Sequence, residues 1–121
     1  MKTIIIILSL FISLNVLAHG GGGFKHSDIF KNLGPNDKVA ILTVHFGTTH
    51  DDTRALTIDA INKKVAQTFP GVEVREAYTS RMIMRRLKEK GITKPNPTEA
   101  MNKLIADGYT HLILQPTNII E

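Results

Sequence analysis

The chain alternates short β-rich apolar runs with stretches of helical periodicity, and this alternation limits the choice of fold more than any other feature. The run at 39–44 is apolar almost throughout, which is typical of a strand covered on both faces in a parallel sheet. Period-two alternation at 72–77 and an apolar run that begins at 111 predict two further strands. The order β-α-β-α-β implies right-handed crossovers between parallel strands.

Three helices are predicted between these strands. Apolar residues recur at helical spacing from 58 to 69 and predict a helix over about 53–68. A second helix begins after a cap at Thr79 or Ser80 and ends at Gly91. The third has the clearest start, because Asn96, Pro97 and Glu99 supply an N-cap, a first-turn proline and a capping-box glutamate. The predicted fold class is therefore α/β, with a parallel sheet between two helix layers in a three-layer arrangement, as in doubly wound folds.

The first 18 residues have the pattern of a secretory signal peptide. Lys2 precedes an apolar run over 4–12, and residues 16–18 (Val-Leu-Ala) suit signal peptidase. The alternative is an uncleaved anchor, but polar residues at 9, 13 and 15 leave less than the roughly 20 apolar residues of a spanning helix. We expect cleavage after Ala18 and a periplasmic product with no membrane partner.

The remaining chain divides into a flexible leader and one domain. The leader covers 19–37, is rich in glycine and shows no periodicity. The α/β domain covers 38–121, and packing is expected to begin at Lys38. Three strands are few for such a sheet, so an open edge is expected to be covered by more chain or by another copy of the protein.

Composition excludes several functions. The chain has no cysteine, so the exported domain must fold without disulfides. A net charge of +4 is too small to indicate nucleic-acid binding, and the basic residues between 81 and 90 have no interleaved aromatic residues to stack bases. An anionic small molecule remains compatible with this charge.

Two polar turns follow the carboxyl ends of the first two predicted strands. Gly47 lets backbone approach a ligand, and the neighbouring threonine hydroxyls can donate to an anion. The second turn is expected beside the first, because strands of a parallel sheet end at one edge. An ordinary capped turn, with Ser80 as N-cap and Arg81 at the surface, is an equally plain reading. The candidate binding residues are Gly47, Thr48, Thr49, Tyr78, Ser80 and Arg81.

The histidines do not converge on one predicted metal site. His45 and His50 lie at the carboxyl end of the first strand, whereas His111 begins the third. His45 and His50 are therefore weak metal candidates, and His45 is interpreted as a packed strand residue. The metal ligands of this chain stay unknown at this stage.

Several separated motifs occur in one order along the chain. They are VHFGTT at 44–49, DTR at 52–54, AYTSRMI at 77–83, GYTH at 108–111 and QP at 115–116. Together they resemble one family, the anaerobic sirohydrochlorin cobaltochelatases of cobalamin synthesis, and the resemblance runs from about 38 to the end of the chain.

The resemblance implies a fold of two similar α/β halves around a tetrapyrrole cleft, of which this chain is the N-terminal half. It implies that the two polar turns line the cleft for sirohydrochlorin, and that Co²⁺ is the substrate metal of a lyase-type insertion. The family's metal-handling residues, two histidines and a glutamate, belong to the second half. The expectation is a chain that is inactive alone and needs a second α/β half or another copy of itself.

Two positions depart from the family pattern. Asn118 stands where the family usually has a histidine, which puts a haem or metal contact there in doubt. Single-domain relatives carry a histidine directly before the glycine of the first turn, and here that residue is Phe46. The alternative function is a dimeric periplasmic module that binds metal, tetrapyrrole or haem, with His45 and His50 as ligands.

Overall fold

Four parallel strands form the central sheet of the computed structural model, which describes residues 3–7, 30 and 32–117. The order across the sheet is β1-β4-β2-β3. The strands are β1 Ile4–Ile7, β2 Val39–His45, β3 Glu73–Tyr78 and β4 His111–Pro116. The helices are α1 Asp51–Leu56, α2 Ile58–Thr68, α3 Arg81–Glu89 and α4 Pro97–Ala106.

The core lies on both faces of the sheet, as the continuous apolar run of β2 predicts. Leu42 packs with Leu104 of α4 on one face, whereas Ile41 packs with Val65 of α2 on the other. Successive strand residues point to opposite faces, so a strand covered on both sides must be apolar at nearly every position. The predicted three-layer α/β class is confirmed.

The strand β1 was not predicted. It pairs in parallel with β4, from Ile4 opposite His111 to Ile7 opposite Leu114, and covers the β4 edge, whereas β3 lies at the opposite edge of the sheet. Four consecutive isoleucines suit an extended edge as well as the apolar part of a signal peptide, because β-branched residues favour strands. Cleavage after Ala18 stays a prediction, and it would remove β1 from the mature chain.

The first predicted helix is two helices with a break at Thr57. The backbone of Thr57 lies at φ −118° and ψ −78°, and the Thr57 hydroxyl donates to the carbonyl of Thr53 at 2.6 Å. Such a bond back along the chain bends helices. The break leaves Leu56 exposed and turns Ile58 into the core.

The next two helices begin where the sequence predicts. Ser80 caps α3, where its Oγ accepts from the N–H of Ile83 at 3.3 Å. Asn96 and Glu99 form both bonds of the predicted capping box at the start of α4. Among the described residues, none of the helices combines the length and apolar character needed to cross a membrane.

The chain ahead of β2 contacts the domain before Lys38. The ring of Phe30 stacks on Phe69 with centroids 5.9 Å apart, and the N–H of Gly34 donates to Oδ2 of Asp37 at 2.8 Å. The N–H of Lys38 donates to the hydroxyl of Thr110 at 2.9 Å. The rest of the predicted leader, 19–29 and 31, lies outside the described residues.

Candidate functional site

The two polar turns are held together by backbone hydrogen bonds at the carboxyl ends of β2 and β3. The N–H of Thr79 donates to the carbonyl of His45 at 2.8 Å, and the N–H of Ser80 donates to that of Phe46 at 3.2 Å. The sequence predicted that these turns would share one edge of the sheet, and the parallel pairing of β2 with β3 has this effect. The turns form a single surface, here called the turn edge, made of residues 46–49 and 79–82.

Gly47 is required by the shape of the turn edge. Its φ of +104° disfavours any L side chain, and an added Cβ would lie 2.7 Å from Cδ2 of Tyr78 and 3.2 Å from Cγ2 of Ile83. The backbone of the turn therefore rests directly on the Tyr78 ring.

The other predicted contacts of the turn edge are partly or fully exposed. Thr48 and Thr49 are half-buried, and Oγ1 of Thr48 accepts from the N–H of His50 at 3.2 Å. Ser80 uses its oxygen as the α3 cap, which leaves its hydroxyl hydrogen free to donate elsewhere. Arg81 is exposed at the first position of α3. These groups offer hydrogen-bond donors and one permanently charged cation, the guanidinium of Arg81.

Tyr78 differs from the other five candidates because its side chain is fully buried. Burial raises the pKa of its phenol to about 12, and the nearby charge of Glu76 adds to that shift. Within the described part of the chain, the Tyr78 hydroxyl has no hydrogen-bond partner. Tyr78 supports the turn from below, and direct contact with a ligand stays a prediction.

His45 is buried in the sheet, with 1% of its surface exposed, which confirms the interpretation as a packed strand residue. Its Nδ1 lies 2.8 Å from Oγ1 of Thr117, and its Nε2 lies 2.9 Å from Oδ1 of Asn62. Burial lowers the pKa of His45, although the bond to Asn62 and the charge of Glu76 oppose this shift. The ring is therefore neutral at pH 7 and occupied on both sides.

A polar chain continues from His45 to the surface, and sequence reasoning missed it. Nδ2 of Asn62 donates to Oε2 of Glu76 at 2.7 Å, and the other oxygen of Glu76 pairs with Lys94. One signal was available. Asn62 stands between Ile58 and Val65 at spacings of four and three, so it is a polar residue on the apolar face of its helix.

The two weak metal candidates do not form a site. Both ring nitrogens of His45 are engaged inside the sheet, whereas His50 is exposed at the start of α1. Across residues 3–7, 30 and 32–117, no three or more His, Cys, Asp or Glu side chains group so that they could hold a metal ion. Asn118 lies outside the described residues.

Comparison with known proteins places these turns in a family. A family model described as cobalt chelatase (CbiK) matches residues 39–121, which is more than half of the chain. The chain belongs to the cobalt chelatase family. The family recognised from the motifs is confirmed, and the match includes the whole turn edge.

Two curated relatives of this cobalt chelatase family member carry the same functional name. The sirohydrochlorin cobaltochelatase of Salmonella typhimurium is 38% identical over 84 residues, covering 69% of this chain and 32% of its own. Sirohydrochlorin cobaltochelatase CbiKC of Nitratidesulfovibrio vulgaris is 33% identical over 86 residues, covering 71% of this chain and 30% of its own. The chain thus spans about a third of the length of these relatives.

Charged side chains of both signs lie around the turn edge of this cobalt chelatase family member. Nζ of Lys90 donates to the carbonyl of Thr49 at 3.3 Å, so α3 runs beside the first turn. On the other side of that turn, the acidic pair Asp51 and Asp52 begins α1, and Oδ1 of Asp51 is paired with Arg54 at 3.0 Å. The exposed cations along α3 and its end are Arg81, Arg85, Arg86, Lys88 and Lys90.

Proposed function

We propose that this chain binds sirohydrochlorin at the turn edge, as the N-terminal half of a sirohydrochlorin cobaltochelatase. The observation that carries the proposal is the bond from Ser80 to Phe46, which joins two turns of the family-matched region into one surface. The names of the curated relatives supply the ligand class.

The chemistry of the turn edge suits a macrocycle that carries several carboxylates. Arg81 offers a guanidinium that can bind a carboxylate through two parallel hydrogen bonds. The hydroxyls of Thr48 and Thr49 can donate to further carboxylate oxygens. The first N–H groups of α3 carry partial positive charge, which favours an anion at the same end.

We further propose that the 121-residue chain binds the macrocycle without inserting the metal. Insertion of Co²⁺ into sirohydrochlorin replaces two pyrrole protons, so it needs groups that hold the ion and groups that accept the protons. Support comes from the described residues, where the only histidine on β2 is neutral, buried and engaged on both nitrogens. The metal-handling groups would then come from a second α/β half or another copy.

A titration of the purified chain with sirohydrochlorin, followed by macrocycle absorption, tests the binding proposal. Saturable binding is expected, and Arg81→Ala should weaken it. Lys64→Ala is the control, because it removes the same charge from an exposed position of α2, and it should leave the affinity unchanged. Addition of Co²⁺ to the complex tests the second proposal. Turnover at the rate of a complete cobaltochelatase would refute it, and absence of any binding would refute the first.

The alternative function, a dimeric carrier, divides into two parts. Its metal part, with His45 and His50 as ligands, is not supported because one of these rings is enclosed in the sheet. Its tetrapyrrole or haem part is tested by the same titration with haem in place of sirohydrochlorin. Sedimentation of the unliganded chain reports whether two copies associate.

We also propose export to the periplasm with cleavage after Ala18. The support is the apolar run that follows Lys2 and the small residue before the cleavage position. The intact mass of protein from a periplasmic fraction should correspond to a chain that begins at His19. A mass that retains Met1 or Lys2 in that fraction would contradict the proposal.

A further inference from the structure

Two large apolar side chains lie open on the turn edge. Phe46 is 60% exposed and Met82 is 55% exposed, although both are next to residues that pack inside. His45 is buried on one side of Phe46, and Ile83 packs in the core cluster beside Met82. The exposed side chains are therefore not needed to complete the core.

The two residues are held at one end of the sheet. The carbonyl of Phe46 accepts from the N–H of Ser80, and Met82 follows two residues later in the first turn of α3. Phe46 lies directly after the end of β2, next to the buried His45, and its side chain is exposed there. On the helix, Ile83 and Leu87 take the core face and leave Met82 outside.

We propose that Phe46 and Met82 form the apolar surface on which the flat face of a tetrapyrrole packs. This inference rests on the proposed function and adds the residues that contact the ring rather than its carboxylates. An aromatic ring and a flexible thioether both suit contact with a broad π-surface.

Charge complementarity selects this occupant. Arg81 directly precedes Met82 in α3, and Arg85 and Arg86 follow it by three and four residues, a spacing that places them beside it on the helix. Thr48 and Thr49 follow Phe46. The turn edge and its surroundings therefore combine two exposed apolar side chains with cations of α3 and threonine hydroxyls. A planar apolar ligand with carboxylates at its rim matches this arrangement, whereas an uncharged protein surface would leave the cations of α3 unpaired.

The test compares Phe46→Ala and Met82→Ala with wild type by sirohydrochlorin titration of the full 121-residue chain. Each change should weaken affinity about tenfold, the loss expected when a large apolar side chain is cut back under a ligand. Phe46→Tyr, which keeps the ring, should bind within about twofold of wild type. The salt dependence of binding should stay unchanged in all three, because no charge is removed.

Ile105→Ala is the matched control. Ile105 is 43% exposed, but it lies near the end of α4, ahead of the start of β4 and thus at the opposite end of the sheet. The affinity of Ile105→Ala for sirohydrochlorin should equal that of wild type. Wild-type binding with unchanged affinity in Phe46→Ala would overturn this inference alone, whereas no binding by wild type would overturn the proposed function as well.

Sedimentation velocity separates a ligand surface from a protein interface. We expect wild type and Phe46→Ala to have the same oligomeric state without ligand. If wild type is a dimer that Phe46→Ala dissociates, this surface serves a second copy of the chain and the inference is wrong. Thermal unfolding of each variant should match wild type, because both side chains are exposed.

Discussion

Nε2 of His45 lies 2.9 Å from Oδ1 of Asn62, and Nδ2 of the same asparagine donates to Oε2 of Glu76 at 2.7 Å. Since an amide oxygen only accepts, Nε2 must carry the hydrogen. Nδ1 is then an acceptor, and the hydroxyl of Thr117, 2.8 Å away, can donate its one hydrogen either to Nδ1 or to the carbonyl of Val44 at 3.2 Å. The neutral ring is satisfied at both nitrogens when Thr117 donates to Nδ1, whereas a cation would require the Thr117 hydrogen to point to the carbonyl of Val44 instead.

The free energy of unfolding should fall as the pH decreases below about 6.5, the ordinary pKa of histidine. Burial, and to a smaller extent Lys94, lowers the pKa of folded His45, against the opposing effects of Asn62, Glu76 and Asp59. The unfolded chain therefore takes up a proton at higher pH than the folded chain does. Stability is lost as the pH falls from 6.5 to the lowered pKa, and this contribution then levels off.

Urea denaturation at a series of pH values, for wild type and His45→Gln, measures this contribution. The variant keeps the other histidines, Glu76 and Lys94, so they contribute to both proteins. The stability difference between wild type and His45→Gln should be largest above pH 6.5 and should shrink at lower pH. The same difference at every pH would contradict the assignment to His45.

Asn62→Ala should lower the free energy of unfolding by roughly 1–3 kcal/mol, because it removes the bridge between His45 and Glu76 and leaves buried partners unsatisfied. Chemical denaturation at pH 7.5 measures the change. Asn102→Ala, at an exposed position of α4, is the matched control and should change stability by less than about 0.5 kcal/mol. Equal effects of the two substitutions would show that the buried bridge contributes nothing.

The sequence predicted the elements whose patterns are local. The apolar run of β2 and the capping box of α4 are written in neighbouring residues, and the structure places both as expected. The break at Thr57 was missed because it depends on one hydroxyl that bonds back to Thr53. The strand β1 was missed because its isoleucines serve an edge strand and a signal peptide equally well.

The candidate site was predictable to a lesser extent. Parallel pairing follows from the β-α-β order, so the meeting of the two turns could be anticipated. The burial of each side chain could not be anticipated, because the same edge of the sheet buries Tyr78 at the end of β3 and leaves Phe46, directly after β2, exposed. The polar chain through Asn62 depends on residues far apart in sequence, and only the three-dimensional packing brings them together.

Gly47→Ala should cost about 3 kcal/mol of stability, combining the strain of a positive φ with a contact of 2.7 Å to the Tyr78 ring. Gly71→Ala separates the two causes. Gly71 has a φ of +83°, but an added Cβ there meets nothing within 4 Å. Denaturant unfolding should give about 1 kcal/mol for Gly71→Ala, from backbone strain alone. A Gly47→Ala cost no larger than that of Gly71→Ala would mean that the turn does not rest on the ring.

Tyr78→Phe should leave stability at pH 7 unchanged or raise it by about 1 kcal/mol, because it removes a buried hydroxyl that lacks a partner among the described residues. The variant should also resist high pH better. The pKa of folded Tyr78 is raised from 10.0 to about 12, so wild type loses stability as the unfolded phenol ionises between these values. Urea denaturation at pH 7 and pH 10.5 measures both effects, with Tyr109→Phe as the control for loss of a tyrosine hydroxyl. A loss of more than 1 kcal/mol at pH 7 would show that the hydroxyl is hydrogen-bonded, and the support of the turn edge would then include that bond as well as the packing of the ring.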